Sequence, residues 1–242
     1  MKNIPKEIAL AMKSLKANGF NVHFVQTKLE GREIMLKMIP QNGLIGVADS
    51  VTLRQIGILE ALTQRGNEII NPFVPEMTEG IKKDQDKRRE FINMMRKTFA
   101  SDVFITGTNA VTVDGNIVNI DRNGNRVAGI IYAAPRVILA VGRNKIVKDV
   151  SAAIDRIRNV LAPAHAKQKG YKTPCAERGE CYDCNSPDRL CNITLILEKK
   201  PLSTDISVVL INEDLGLGWD PGWDETRIAG IRDDYYRYSW PF

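Results

Sequence analysis

From Ile4 to Leu62 the sequence alternates between a helical and a strand period, and this alternation restricts the fold more than any other feature. Ile4, Ile8, Met12 and Leu15 recur at helical spacing, so residues 5–18 are expected to form an amphipathic helix that ends at Asn18 and Gly19. A strand over residues 20–25 follows, then a helical stripe of Leu29, Ile34, Met35, Met38 and Ile39 that Pro40 closes. Residues 43–48 form a short apolar strand, and Asp49 and Ser50 are N-cap candidates for a helix reaching Leu62. Strand and helix in turn are the signature of a parallel sheet with helices on both faces, so the expected class is α/β.

Residues 75–99 continue as a long charged helical stretch, ending at a strand over 102–106. The period then becomes two. Asp114-Gly115, a hairpin turn in which both positions tolerate positive φ, separates Thr112 and Val113 from a strand at 116–120. A second turn at Asn123-Gly124 leads to strands at 127–132 and 136–141, so a four-stranded β-meander is expected. Val150, Ile154, Ile157 and Leu161 then mark a helix that Pro163 should stop, and two apolar strands, 193–197 and 206–211, close the body. We divide the 242 residues into an α/β domain over 1–212, including a cysteine-bearing loop at 163–192, and an irregular acidic, aromatic C-terminal tail over 213–242 that holds all three tryptophans.

Composition excludes several classes. Hydrophobic residues at 43% and charged residues at 26% are those of a folded globular chain. No apolar run approaches the ~20 residues that cross a bilayer. Lys6, Glu7 and Lys13 interrupt the stretch where a signal peptide would be apolar, so the cytoplasm is the expected compartment. The net charge is +5 over residues 1–100, +5 over 101–200 and −5 over 201–242, a basic body that could attract an organic anion. No basic run is interleaved with aromatics as a stacking platform requires, so nucleic-acid binding is not expected. The oligomeric state is left open, a homo-oligomer included.

All four cysteines fall within seventeen residues, as Cys175, Cys181, Cys184 and Cys191. The spacing is C-x5-C-x2-C-x6-C, with Pro174 before the first and Pro187 between the last two. Converging thiolates repel one another unless a cation neutralises them, so the set itself implies a metal. A disulfide pair is disfavoured in a reducing compartment. A structural zinc site usually pairs two C-x2-C knuckles, and only one exists here. An iron–sulfur cluster tolerates compact, irregular spacing beside proline, so a 4Fe-4S cluster is preferred and zinc is the alternative. Arg178 and Arg189 are the neighbouring cations that could offset its charge.

Elsewhere, Asp49, Ser50 and Thr52 stand at a strand-to-helix turn where free backbone N–H groups favour an anion, although Ser50 would equally cap the helix. Asn109, in the run from Thr106 to Ala110, follows a strand at the carboxyl edge where open α/β sheets place ligands. The turn Gly142-Arg143-Asn144-Lys145 supplies two cations, of which Arg143 is the chosen anion contact. His23 and His165 are the only histidines, too few for a histidine-rich metal site, and no catalytic residue is assigned. Neither GxGxxG nor GxxxxGK[ST] occurs, so nucleotide loops of those types are absent from the sequence.

Residues 101–149, from SDVFITGTNAVTVDG to NKIVKD, and residues 173–197, TPCAERGECYDCNSPDRLCNITLIL, together with GVADSVTLRQIGILEAL at 46–62, resemble the LUD domain family, the lactate-utilization group, over roughly residues 5–212. The resemblance implies a fold similar to ribose-phosphate isomerase, glucosamine-phosphate deaminase and CoA-transferase. It also implies a role in hydroxy-acid oxidation alongside redox partner subunits. In that fold group a glycine-rich strand-to-helix loop binds phosphate; here residues 46–52 match it, with Ala48 and Asp49 where further glycines would bring a phosphate against the backbone.

The leading expectation is an iron–sulfur protein acting in electron transfer during oxidation of a small hydroxy acid. The alternatives are a non-redox isomerase or CoA-transferase-like enzyme, or an iron–sulfur lyase, acting on a small organic anion. In the non-redox case the metal loop would be a structural clamp and Asp49 the candidate base. A subunit whose tryptophan-rich tail docks a partner is a third.

Overall fold

Ile8, Ala11 and Leu15 bury one stripe of helix α1 (Lys6–Ala17) in a computed structural model that describes residues 4–240. The left-handed Gly19 turns the chain into strand β1 (Asn21–Val25). Thr27 caps α2 (Lys28–Met38) by accepting from the Glu30 N–H, and β2 (Ile45–Val47) follows. The helix expected to reach Leu62 is two, α3 (Val51–Ile56) and α4 (Ile58–Gln64), because Gly57 at φ +69° breaks it. Beyond β3 (Ile69–Ile70), the charged stretch divides into α5 (Pro75–Thr78) and α6 (Gln85–Lys97) around Gly80 at φ +75°, with Asp84 capping α6.

The second half corrects the expected meander. β4 (Val103–Gly107) and β6 (Ile117–Asp121) lie where strands were expected, while β5 (Ala110–Thr112) starts two residues before the expected Thr112 and Val113, with Gly115 at φ +87° in the hairpin turn. Residues 127–132, read as a strand, are instead helical: α7 (Asn125–Ala128) runs into a π turn over Gly129–Ala133. Val127, Ile130 and Ala134 are buried at spacings that suit a helix, and short apolar runs carry no decisive period. Gly129 is required there, since any Cβ would overlap the ring of the fully buried Phe104. β7 (Arg136–Gly142) leaves the hairpin for the main sheet, and β8 (Ile146–Val147) follows. Pro163 does not end the next helix. α8 (Val150–Arg156) continues through a π turn at Ile157–Leu161 into α9 (Ala162–Gln168). In that widened turn the Ala162 N–H donates to the Ile157 carbonyl, five residues back, and this irregularity accommodates the proline. The cysteine loop contains α10 (Pro174–Arg178) and ends at β9 (Ile193–Leu197), before β10 (Asp205–Ile211). The tail is not irregular throughout: Asp224 caps α11 (Glu225–Arg237), which buries Ile228, Ile231 and Tyr235.

Among the described residues the strands form two sheets. The larger is wholly parallel, in the order β1-β10-β7-β4-β2-β3. Its faces follow the pleat. Phe104, Val137, Leu139, Val141, Ile206 and Val208 pack under α1, while Val103, Ile105, Ile138, Ala140 and Val209 pack under α2, α3 and α4. The fold is α/β with helices on both faces. The smaller sheet, β8-β5-β6-β9, contains the expected hairpin, with β9 as its third antiparallel strand. Gly46, in the segment compared with a phosphate loop, serves packing: a Cβ there would overlap the Thr98 carbonyl oxygen and stand 2.6 Å from Ser101 Oγ. Among the described residues no helix is long and apolar enough to cross a membrane.

Candidate functional site

β2 sends the chain outward to β3, whereas its neighbour β4 leads toward β7, so a crevice opens between their carboxyl ends. Asp49, Ser50 and Thr52 line it from the β2 side, and Thr108 and Asn109 from the β4 side. The two ends approach closely; a Cβ on Gly107 would stand 2.7 Å from Ser50 Oγ. Together with residues of α7, the π turn after α8, α9 and α11 they bound a pocket of about 850 Å³, its open mouth included.

Each expected contact has a defined place. Ser50 Oγ caps α3, accepting from the Leu53 N–H at 3.4 Å. Asn109 Oδ1 accepts from the Ile120 N–H at 2.8 Å, which fixes the wall between the two sheets. Asp49 pairs with Arg54 at 2.7 Å, with side chains 19% and 10% exposed. Burial alone would raise its pKa, but the Arg54 guanidinium, with Lys169 and His165 behind it, holds the carboxyl well below the usual carboxylate range. Arg143 lies outside the pocket lining. Its Nε donates to Asp214 at 2.8 Å, and Arg227 shares that carboxylate at 2.8 Å. The cation the turn contributes to the pocket is Lys145, two residues on.

Lys145 Nζ donates to the Thr108 carbonyl at 2.8 Å and to Thr52 Oγ1 at 3.3 Å. Burial, reinforced by Arg126 and Arg156, lowers its pKa to about 7. Arg126 also reaches the pocket: its terminal nitrogen donates to the Asp49 carbonyl, and its buried Nε has no hydrogen-bond partner among the described residues. On the opposite wall, His165 Nδ1 lies 2.6 Å from the Tyr235 hydroxyl. Burial and the nearby Lys169 push the His165 pKa down to about 4, so the imidazole is uncharged at neutral pH. Burial raises the Tyr235 phenol above its ordinary range. Lys145, Arg126, His165 and Tyr235 were not among the expected site residues. The signal for Lys145 was its turn; the His165–Tyr235 pair joins residues 70 positions apart and has no local signature.

The four cysteines are free thiols lining one small second pocket. Cys175 stands in the first turn of α10, its Sγ 3.2 Å from Thr173 Oγ1. The Asp183 N–H points at Cys181 Sγ from 3.4 Å, and Asp183 adopts φ +44°. Arg189 binds the loop together, donating to the carbonyls of Cys184 and Cys191 and pairing with Asp183 at 2.7 Å. Arg178 instead stacks on Tyr182, while Arg158 joins Arg189 on the pocket wall. Burial, and then the facing Cys181 and Cys175, push the Cys191 thiol up to about 11, the repulsion that a bound cation would relieve. Among the described residues no three histidine, cysteine, aspartate or glutamate side chains form a ligand group for a metal ion. Four free thiols sharing one pocket, with an N–H and two guanidiniums beside them, nonetheless fit a thiolate-held metal centre in donor chemistry and charge. The two pockets adjoin: Ala162, Leu190 and Cys191 line both.

The LUD domain family model matches residues 8–211, so α11 and its Tyr235 lie beyond the matched stretch. Among solved structures, the chain is similar to a DUF162 family protein from Deinococcus radiodurans at 11% identity and a TM-score of 0.48, over 85% of this chain and 96% of that one. No curated protein matches.

Proposed function

The chain belongs to the LUD domain family, the lactate-utilization group, and on that premise we propose that it is an iron–sulfur protein serving electron transfer in the oxidation of a small hydroxy acid. Cys175, Cys181, Cys184 and Cys191 would hold a 4Fe-4S cluster, and a redox partner subunit would receive its electrons. Once bound, such a cluster supplies one-electron transfer. The observation that carries the reading is Cys191, which stands on the wall of both the thiol pocket and the anion pocket. On the anion side, the Arg126 guanidinium lines the pocket with its Nε lacking a hydrogen-bond partner among the described residues, and Ile157, Leu161 and Leu217 make the rest of that wall apolar. Lys145 adds an adjacent amine held on Thr108 and Thr52.

The test is spectroscopic. Saturating lactate or glycolate should shift the EPR signal of the iron-loaded, dithionite-reduced protein, because an acid in the pocket lies against a cluster ligand. A spectrum unchanged by every small hydroxy acid contradicts the coupling. The second reading, a non-redox enzyme with zinc as a structural clamp, is favoured by the groups the pocket holds without a metal, Lys145 above all.

A further inference from the structure

Lys145 is 6% exposed, and the charged groups acting on it are two guanidiniums, Arg126 and Arg156. A neutral amine has two N–H bonds. The Thr108 carbonyl and the Thr52 hydroxyl accept both, which leaves the nitrogen lone pair uncommitted at the wall of the pocket. Burial and the flanking cations lower the pKa of this amine to about 7, so an unprotonated fraction exists near neutrality. A lysine desolvated beside other cations is a nucleophile toward carbonyl carbon rather than a partner for surface acids. On the same pocket, the buried Arg126 Nε lacks an acceptor among the described residues, and an arginine with an unpaired N–H is suited to a carboxylate.

We propose that the pocket takes a small 2-oxo acid, with Arg126 holding the carboxylate and Lys145 Nζ adding to the carbonyl carbon to form a reversible imine. The amine lone pair forms the N–C bond as the carbonyl π pair moves to oxygen. The two amine protons leave with that oxygen as water, and hydrolysis reverses the step. No electron is gained or lost and no co-reactant is needed. A 2-oxo acid is what oxidation of a 2-hydroxy acid releases, so the inference deepens the substrate class of the same site. It rests on the preceding reading for the anion pocket alone, and not for the cluster.

The experiment treats the full-length protein with pyruvate and cyanoborohydride, which fixes an imine as a secondary amine, and maps the labelled peptides by mass spectrometry. Pyruvate binding is followed in parallel by calorimetry. The expected label is concentrated on Lys145, saturates with pyruvate, and is absent at that position in Lys145→Met and Lys145→Arg. Arg126→Gln should weaken pyruvate binding roughly tenfold or more through loss of a charge-assisted hydrogen bond. Wild-type labelling is decisive by itself, so the test does not depend on any variant folding. Pyruvate bound without label at Lys145, or with label spread over surface lysines, overturns the imine while leaving the anion pocket intact. The absence of pyruvate binding overturns both.

Discussion

Replacing Cys184 with alanine is expected to abolish the visible absorption and the EPR signal of the iron-loaded protein, together with any hydroxy-acid-dependent electron transfer. Cys184 lies on the thiol pocket with Cys175, Cys181 and Cys191, and its carbonyl is held by Arg189. Four thiolates saturate the usual ligand demand of a 4Fe-4S cluster, so loss of one leaves an exposed iron and an assembly prone to decay. The fold should survive the change. Cys184 is half-buried and belongs to none of the apolar clusters that hold the sheets, so the far-UV circular dichroism should match that of the wild type. Arg143→Gln provides the contrast, since Arg143 binds Asp214 outside both pockets and its loss should leave cluster content unchanged. Full iron and sulfide in the Cys184→Ala protein would contradict the four-ligand assignment.

Arg54→Ala is expected to produce the largest loss of stability, about 3–5 kcal/mol at neutral pH, because it strands a buried carboxylate. Arg54 neutralises Asp49 at 2.7 Å, donates from Nε to the Tyr238 carbonyl at 2.8 Å and lies 4.6 Å from the Trp240 ring centroid. It therefore joins the β2–α3 turn to the C-terminal segment. The pH dependence follows from the depressed Asp49 pKa. In the wild type that carboxylate contributes stability above its unfolded pKa, and the contribution is lost as pH falls through the folded value. Without Arg54 the burial that raises the pKa is opposed only by the weaker pull of Lys169 and His165, so protonation relieves the variant. Denaturant unfolding should show a wide gap between the two proteins at pH 7 that narrows toward pH 4. A gap that stays constant over that interval would show that Asp49 is not the group left uncompensated.

The helices before β4 were legible because each buries one stripe, so a period of 3.6 survives in the sequence, as with Ile8, Ala11 and Leu15 on α1, whereas β2 and β4, buried on both faces, show only as short apolar runs and the two-residue β3 leaves no pattern. Residues 127–132 were not, because the run is short and apolar almost throughout, and its helical spacing shows only once Phe104 is seen pressing on Gly129. The apolar face of α11, Ile228, Ile231 and Tyr235, is spaced as a helix requires but is diluted by charged neighbours. At the site, Asp49, Ser50 and Thr52 could be named from the free N–H groups of a strand-to-helix turn, and Asn109 from its place at the carboxyl edge of the sheet. Arg143 was chosen over Lys145 because a turn does not reveal which of its side chains points inward; here Asp214, far along the chain, draws Arg143 out. The position of Cys191 between two pockets, and the pairing of His165 with Tyr235, depend on how distant segments pack, which no local pattern encodes.

Iron, acid-labile sulfide and zinc determined on one anaerobically purified sample, with visible absorption and EPR before and after dithionite, test the central claim most directly. The expected result is roughly four irons and four sulfides per chain, the content of one 4Fe-4S cluster, with a signal that appears on reduction. One zinc per chain without sulfide, from cells well supplied with iron, would contradict it and make the cysteine loop a structural clamp beside a non-redox pocket.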